Sequence, residues 1–450
     1  MKLSFQNIGK VAKADIEIDA ITVITGANDT GKSTVGKLLY GIYTALNQLT
    51  PEYLFQCKLH SITEEIELLH RWITSDELGM DIESNLSSIH FNFRIQIGNI
   101  RSNMMDELNK AEEEVKTLVL DLVEIIKTKA DQIENSDDSR ATHIQEKVAP
   151  ICENLLLKMK MPSEDTSVQL SLVEEIMLTV FSGSITTERE EALTGIVNIT
   201  EDNNESISLK FLNNEINLTE SEIAVSRVFQ IPLYIDNPFI LNDLNIPVSS
   251  HIKKMSYKPN IALLNQLKTS KDVNHFDKVL QNNNLEELIS EVIPGDVRET
   301  YGRYEYYSDE LKSPILVESL SAGMKSYGIL KMLLKTGHLT KNEILILDEP
   351  EVHLHPEWQL KYAEFIVLLA IEYKLRILIT SHSSYFIEAI ELHSQKHEID
   401  SGVRYYKTQP FENEMSEIVN VTDDLESLYI DLIGGSIETF EKMEEELNER

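Results

Sequence analysis

Alternating and continuous hydrophobic runs open the chain. Lys2–Ile8 and Ala14–Ile18 alternate apolar with polar positions, which predicts two half-buried strands. Ala20–Thr25 is a mostly apolar, β-branched run that predicts a third, more buried strand. After a short glycine-containing stretch, Lys32–Leu46 carries apolar residues at helical spacing. The opening therefore predicts strand, loop and helix in close succession.

The next 140 residues are predicted to be mostly helical. An apolar seam at alternating spacings of three and four is formed by Leu108, Ala111, Val115, Leu118, Leu122 and Ile125. After the polar break Asn135–Arg140, the seam resumes at Ile144, Val148, Ile151 and Leu155. The pattern predicts a helical hairpin that resembles a short antiparallel coiled coil. It leaves open whether this hairpin packs on the rest of the protein or protrudes as a dimerisation arm.

Beyond the helical region the pattern returns to strands. Residues 192–220 predict a β-hairpin that turns at Asp202–Glu205, and Val228–Ile235 predicts another strand. Gly302–Ser308 and Pro314–Glu318 are predicted to pair. From Ser321 onward helices and strands alternate, as in an α/β sheet.

The expected fold class is therefore α/β, with N-terminal antiparallel strands, a core parallel sheet and a large helical insertion. Four regions are expected: residues 1–48, the helical insertion 49–190, residues 191–398, and a C-terminal extension 399–450. The acidic helix predicted at Ser436–Asn448 is expected to dock on the main domain.

Composition limits the classes of partner. The net charge is −34, which weighs against a broad DNA-coating surface but leaves room for a local basic groove. A small basic cluster comprises Lys253, Lys254, Lys258, Lys268 and Lys271. The chain has two cysteines, Cys57 and Cys152, no signal peptide at its start and no run of about 18 apolar residues. These features predict a cytoplasmic protein without a membrane partner.

The glycine-containing stretch is the first candidate for chemistry. Residues 26–34 match the phosphate-loop pattern G-x-x-x-x-G-K-[ST], and the flanking strand and helix are its expected context. Backbone N–H groups at the start of the helix would bind phosphate, with Lys32 at the β- and γ-phosphates and Ser33 on Mg²⁺. The candidate nucleotide-binding residues are Gly26, Asn28, Asp29, Thr30, Gly31, Lys32, Ser33 and Thr34. The predicted ligands are ATP and Mg²⁺.

Two later aliphatic strands end in candidate catalytic residues. Ile344–Leu347 leads into Asp348, a predicted Mg²⁺ ligand opposite Ser33, and into Glu349, a predicted general base. A second run, Ile377–Ser381, ends at His382. If the two strands are neighbours, His382 can contact the γ-phosphate.

A fourth segment, Leu320–Ser326, opens a helix. Ser321 is a good N-cap, so one interpretation is an ordinary helix start. The other is that Ser321, Gly323 and the helix N-terminus bind the γ-phosphate of a neighbouring subunit.

These four segments, in this order, resemble the ATP-binding-cassette class of ATPases, and more closely the soluble heads of the structural-maintenance-of-chromosomes, DNA-repair and overcoming-lysogenization-defect (OLD) types. Asp348–Gln359 and Thr380–Phe386 are particularly similar to the OLD family. Asp29 and Ala322 stand where glycine is common in the class.

The resemblance implies that two heads form a homodimer or higher oligomer over ATP, with Ser321 and Gly323 acting in trans. It also implies that residues 351–356 cross the interface, which argues against a metal role for His353 and His355. The class's glutamine loop would fall at Asp236 or Asn237.

Three functions remain open. The first is the sensor ATPase of a bacterial antiphage (abortive infection) system that controls a separately encoded nuclease or toxin, because the stretch after His382 is too short for a nuclease domain. The second is a DNA-repair or recombination ATPase that acts on DNA directly. The third, the nucleotide-binding subunit of a transporter, is disfavoured by the helical insertion.

Overall fold

A computed structural model of the chain provides the architecture. It describes residues 1–75, 95, 108–134, 139–162, 165–187, 194–203, 205–225, 230–246, 257–270, 293–340 and 343–432. The polar break at 135–138, the predicted helix Ser436–Asn448 and three lysines of the basic cluster (Lys253, Lys254 and Lys271) lie outside these residues. The chain divides into two compact units, one made of Met1–Asn47 with Leu172–Arg450 and the other of Gln48–Ser171.

Helices account for most of the smaller unit and flank the sheet of the larger one. The α-helices are α1 (Lys32–Gln48), α2 (Pro51–Ser75), α3 (Leu108–Glu134), α4 (Ser139–Lys160), α5 (Thr166–Val180), α6 (Pro259–Lys268), α7 (Ala322–Lys335), α8 (Pro356–Tyr373) and α9 (Ser384–Lys396). A 3₁₀ segment spans Pro238–Asn245.

The strands follow the chain in the larger unit. They are β1 (Lys2–Ile8), β2 (Val11–Glu17), β3 (Ile21–Thr25), β4 (Thr194–Thr200), β5 (Ser206–Leu212), β6 (Glu215–Ile216), β7 (Glu222–Ala224), β8 (Leu233–Ile235), β9 (Asp296–Thr300), β10 (Arg303–Tyr307), β11 (Ile315–Leu316), β12 (Ile344–Asp348), β13 (Arg376–Ser381), β14 (Val403–Pro410) and β15 (Ser416–Asn420).

Among the described strands, twelve form one sheet in the order β6-β5-β4-β1-β2-β15-β14-β3-β13-β12-β8, with β7 on β5. The run β14-β3-β13-β12-β8 is parallel throughout. β1, β2, β4 and β5 pair antiparallel. The predicted α/β fold, with a parallel core and N-terminal antiparallel strands, is confirmed.

The parallel core is buried on both faces. Every residue of β3 is buried, as are the four aliphatic residues that open β12. Parallel strands covered by helices on both sides need such continuous apolar runs. Because β12 and β13 are direct neighbours, with Asp348 opposite Thr380, the side chains that end these strands share one edge of the sheet.

The pairing predictions hold, with two differences. β4 and β5 form the predicted hairpin, and β10 pairs with β11 as expected, with β9 added to make a three-stranded sheet. Of the strand predicted at Val228–Ile235, residues 230–235 are described, and within them only Leu233–Ile235 is a strand, paired with β12. The C-terminal region is also more than a docked extension, because β14 pairs directly with β3 inside the main sheet.

The smaller unit is a packed helical cluster. α2, α3 and α4 share a core formed by Phe55, Leu59, Ile62, Ile66, Ala111, Val115, Val119, Leu122, Val123, Cys152 and Leu155. The two-helix seam prediction was wrong at one end, because Ile125 is 38% exposed while Val119 and Val123 are buried. A third helix, α2, adds Phe55, Leu59, Ile62 and Ile66 to this core, so the core is a three-helix cluster and not a two-stranded seam.

No helix in the described part of the chain is long and apolar enough to cross a membrane.

Candidate nucleotide-binding site

The loop between β3 and α1 has the backbone of a phosphate cradle. Gly26 and Gly31 have φ values of +146° and +86°, which side-chain-bearing residues rarely adopt. A Cβ on Gly26 would lie 1.8 Å from Thr408 Oγ1, and one on Gly31 would lie 2.6 Å from Val11 Cγ2. Both glycines are therefore required by conformation and by space.

Asp29, which stands where related ATPases often have glycine, is also left-handed, with φ of +64°. Aspartate tolerates this region better than most residues, so the loop keeps its path despite the substitution. The carboxylate pairs with the ammonium of Lys10. Asn28, beside it, is exposed.

The C-terminal strands hold this loop from outside. Thr408 Oγ1 on β14 donates to Thr30 Oγ1 at 2.8 Å, and Ser416 Oγ on β15 donates to Thr30 O at 2.6 Å. Thr34, buried at the start of α1, donates its N–H to Gly31 O at 3.0 Å. The loop is thus fixed by residues almost 400 positions away, a support that the sequence patterns did not reveal.

Lys32 lies inside the cradle. It is 4% exposed, and its Nζ donates to Gly26 O at 3.1 Å and to Ala27 O at 2.8 Å. The same Nζ is 3.7 Å from Glu349 Oε1. The ammonium therefore lies between the loop carbonyls and the acidic end of β12.

The Asp348 carboxylate accepts hydrogen bonds from three hydroxyl groups. Ser33 Oγ donates to Oδ1 at 3.0 Å, Tyr234 OH donates to Oδ2 at 3.0 Å, and Thr380 Oγ1 also donates to Oδ1. The predicted juxtaposition of Ser33 and Asp348 is present. Tyr234 is an addition, and burial followed by the charge of Asp348 raises its pKa well above the usual value, so the phenol stays a donor.

Glu349 and His382 face one another across the ends of β12 and β13. Glu349 Oε1 lies 3.6 Å from His382 Nδ1. Glu349 has φ of +51°, and its N–H donates to Thr380 O and to Thr380 Oγ1, both at 3.1 Å. Thr380 therefore contacts the Asp348 carboxylate and the backbone of Glu349, while the side chains of Glu349 and His382 remain 36% and 42% exposed.

Glu351 holds the backbone of His382 by hydrogen bonding. It is 2% exposed, and its Oε1 accepts from Ser381 Oγ at 2.6 Å and from His382 N at 3.2 Å. Burial raises the pKa of the Glu351 carboxyl, since desolvation outweighs these hydrogen bonds. The sequence placed Glu351 only in an interface loop, so this positioning contact was missed.

Replacing Glu351 with alanine should lower the rate of ATP hydrolysis by about tenfold or more, because the backbone that carries His382 loses its acceptor. Glu351→Gln should retain most of the rate, because its amide oxygen accepts the same two hydrogen bonds. Steady-state hydrolysis of the two variants checks this. Equal rates for the alanine and glutamine variants would show that Glu351 does not position His382 for hydrolysis.

The raised pKa of Glu351 also predicts a pH effect on stability. Between the ordinary value of 4.5 and the raised folded value, the folded protein holds a proton that the unfolded chain has lost. The stabilisation that the protonated Glu351 carboxyl gives the folded protein is therefore complete below pH 4.5 and is lost as pH rises through the folded pKa. As pH rises over this window, the free energy of unfolding of wild type should fall relative to that of Glu351→Gln. Denaturant unfolding of both proteins checks this, repeated in a His382→Gln background because His382 Nδ1 is 3.9 Å from Glu351 Oε1. A stability difference independent of pH would contradict it.

Ser321 and Gly323 lie at the start of α7, where Ser321 is exposed and Gly323 is buried. Ser321 is exposed and caps α7 by accepting from Met324 N at 3.3 Å. A Cβ on Gly323 would lie 2.8 Å from the Trp358 ring, so the start of α7 packs closely on α8. Within the described residues, no hydrogen bond joins either residue to the phosphate loop.

The remaining candidates have local contacts. His353 packs edge-on against Phe239 with ring centroids 5.2 Å apart, and His355 Nδ1 accepts from Glu357 N at 3.4 Å as the N-cap of α8. Asn237 caps the 3₁₀ segment through Phe239 N, and Asp236 beside it is exposed. Among the described residues, neither histidine belongs to a group of three side chains that could hold a metal ion.

The side chains present fit ATP with Mg²⁺. Ser33 Oγ and Asp348 are hard oxygen donors of the kind Mg²⁺ prefers, and they converge beside the glycine cradle. Lys32 supplies a buried cation next to that cradle. The site can therefore bind a polyphosphate with its metal and present a carboxylate beside it.

Comparisons with known proteins bear on the class. Residues 1–387 match the family described as "AAA ATPase domain". No curated protein matches the sequence. Among solved structures, the "SmcHead bound to the C-winged helix domain of ScpA" has a TM-score of 0.35 at 10% identity, covering 95% of this chain and 98% of that one. The "SMC head domain from Thermotoga maritima" has a TM-score of 0.36 at 10% identity, covering 93% and 98%.

The family match spans most of the chain, including the phosphate loop, β12 and His382. The two structural similarities have TM-scores too low to bear on function. The chain therefore belongs to the AAA ATPase domain family and is an ATPase.

Proposed function

We propose that ATP is hydrolysed with Mg²⁺ where the phosphate loop meets the ends of β12 and β13. The observation that carries this proposal is the 3.0 Å hydrogen bond from Ser33 Oγ to Asp348 Oδ1, which joins residues 315 positions apart. Glu349 and Lys32 lie within 3.7 Å of one another at the same place.

Each group has a distinct role in this proposal. Backbone N–H groups at the start of α1 bind the phosphates, and Lys32 turns from the loop carbonyls to the β- and γ-phosphates. Ser33 and Asp348 would hold Mg²⁺, which would supply positive charge beside the phosphates. Glu349 accepts a proton from the water that attacks the γ-phosphorus, the bond to the bridging oxygen breaks, and ADP and phosphate result. His382 contacts the γ-phosphate.

The proposed active unit is a dimer of heads. Ser321 is exposed at the N-terminus of α7, where a helix end can bind an anion supplied by a second copy. Leu354 and Trp358, from the segment after Glu349, pack beside Gly323. The signature-like helix start and the 351–356 loop therefore form one continuous surface suited to face the nucleotide of a partner head.

The proposed biological role is the sensor ATPase of a cytoplasmic antiphage system that controls a separately encoded nuclease or toxin. The OLD-like segments Asp348–Gln359 and Thr380–Phe386 support it. In this role, binding and hydrolysis of ATP switch the head pair between two states, only one of which holds the effector.

The described lysines of the basic cluster give little support to the alternative, an ATPase that acts directly on DNA. Lys268 Nζ already donates to Ile246 O at 3.0 Å and to Asp243 O at 3.4 Å. The net charge of −34 adds long-range repulsion of a duplex. Strongly salt-dependent duplex binding would favour this alternative.

Affinity capture from the native cell tests the biological role. The Glu349→Gln protein, with ATP and Mg²⁺, is expected to retain a nuclease or toxin. The Lys32→Ala protein is the matched control, because it should not reach the ATP-bound state. DNA without a protein effector would move the assignment to the alternative, and identical eluates from both variants would contradict an ATP-controlled partner.

A further inference from the structure

Two histidines and a glutamate converge where α8 and α9 pack, away from the phosphate loop. Glu364 lies in α8, His393 lies in the last turn of α9, and His397 caps that helix. One ligand atom from each lies within 4.8 Å of the other two. His393 and His397 are four residues apart, a spacing that places both rings on one helix face.

The ring nitrogens that face Glu364 lack hydrogen-bond partners. His393 Nδ1 and His397 Nε2 are both shielded from solvent, and neither makes a hydrogen bond to any described residue. They lie 3.8 Å and 3.9 Å from the same atom, Glu364 Oε1. These distances are too long for hydrogen bonds, and shielded nitrogens without partners are costly.

A divalent transition metal would satisfy all three groups. With metal–ligand bonds of about 2.0–2.1 Å, tetrahedral geometry separates ligand atoms by about 3.4 Å. Oε1 would need to approach each nitrogen by about half an ångström, which side-chain rotation can supply. Two imidazoles with one carboxylate suit Zn²⁺ and its neighbours better than Mg²⁺ or Ca²⁺.

We propose that Glu364, His393 and His397 form a Zn²⁺-type site with a fourth position for water. α8 follows β12, which leads into Glu349, and α9 follows β13, which leads into His382. The metal would tie these two helices together beyond the ATP site. The role is structural, since the ligands lie on the helices and not at the strand ends where the ATP chemistry is proposed.

Lys396 competes for the same carboxylate. Its Nζ donates to Glu364 Oε1 at 2.7 Å, while its side chain is 59% exposed. An ammonium that is already largely solvated can leave at small cost when a metal arrives. Removing Lys396 should therefore strengthen metal binding, which is the reverse of the effect expected if the lysine were part of the site.

The test is Co²⁺ binding, read by visible absorption, and Zn²⁺ competition on the full chain after chelator treatment. Excess Mg²⁺ and the absence of nucleotide keep the proposed ATP site from contributing. Wild type should bind one equivalent, and His393→Ala and His397→Ala should each weaken binding at least about tenfold. Lys396→Met should tighten it severalfold.

His60→Ala is the matched control, because His60 pairs with Glu64 at the same helical spacing but is exposed and belongs to no triad of ligand side chains among the described residues. It should bind Co²⁺ like wild type. Thermal unfolding without metal verifies that each variant is folded. Zn²⁺ should raise the melting temperature of wild type but not that of His393→Ala or His397→Ala. Absence of Co²⁺ binding by wild type, undiminished binding by His393→Ala, or no gain in Lys396→Met would overturn the proposal.

Discussion

Replacing Glu349 with glutamine is expected to lower ATP hydrolysis by about two to four orders of magnitude, the usual contribution of a general base. The amide keeps the size of the side chain but cannot accept the proton of the attacking water. ATP affinity should change little, because the phosphate loop, Lys32 and Asp348 remain. Steady-state hydrolysis and equilibrium nucleotide binding, measured on one preparation, check the expected loss of hydrolysis and the unchanged ATP affinity.

Glu357→Gln is the control for this change. Glu357 is exposed in the first turn of α8, on the same segment as Glu349, and the substitution is chemically identical. It should hydrolyse ATP like wild type. Unimpaired turnover by the Glu349 variant would remove Glu349 as the base and direct attention to His382, whose Nδ1 is 3.6 Å from it.

Replacing Lys32 with alanine should weaken ATP binding by about thirtyfold or more. Loss of a desolvated charged partner costs about 2–5 kcal/mol, and about 1.4 kcal/mol corresponds to tenfold in affinity. Lys32 is 4% exposed inside the glycine cradle, so water cannot easily replace its ammonium. Binding of a fluorescent ATP analogue, with unlabelled ATP as competitor, measures the loss.

Lys13→Ala provides the control, because Lys13 is an exposed lysine on β2. It should bind ATP like wild type and report the effect of losing one positive charge from the acidic surface. Nucleotide affinity retained by the Lys32 variant would refute the phosphate-loop assignment, whatever the hydrolysis rate.

The parts of the site that could be predicted are those carried by local patterns. Phosphate loops have a short signature with fixed flanks, and β12 and β13 are aliphatic runs that end in chemistry-bearing residues. Their adjacency in register, Asp348 opposite Thr380, follows from parallel pairing of two buried strands. The role of Ser321 as an N-cap was equally local.

What escaped prediction depends on contacts between distant segments. Tyr234 reaches Asp348 from β8, and Thr408 fills the space above Gly26 from β14. Neither strand carries a motif, so no local pattern marks these residues. The shift of the α3 seam from Ile125 to Val119 and Val123 was also not predicted, and it accompanies a core to which a third helix, α2, contributes.

In the proposed dimer, one head supplies the phosphate loop and Glu349 while the other supplies Ser321. Ser321→Asp keeps an N-cap residue on α7 but places negative charge toward the γ-phosphate. Alone, this variant and Glu349→Gln should each be nearly inactive. Mixed, they can form a heterodimer in which one site combines an intact Glu349 with an intact Ser321.

The decisive measurement is therefore ATP hydrolysis by the two variants separately and after mixing at equal concentration. Activity in the mixture is expected to be well above the sum of the separate proteins, at up to about a quarter of the wild-type rate for random pairing of heads. A mixture no more active than its components would contradict the composite site.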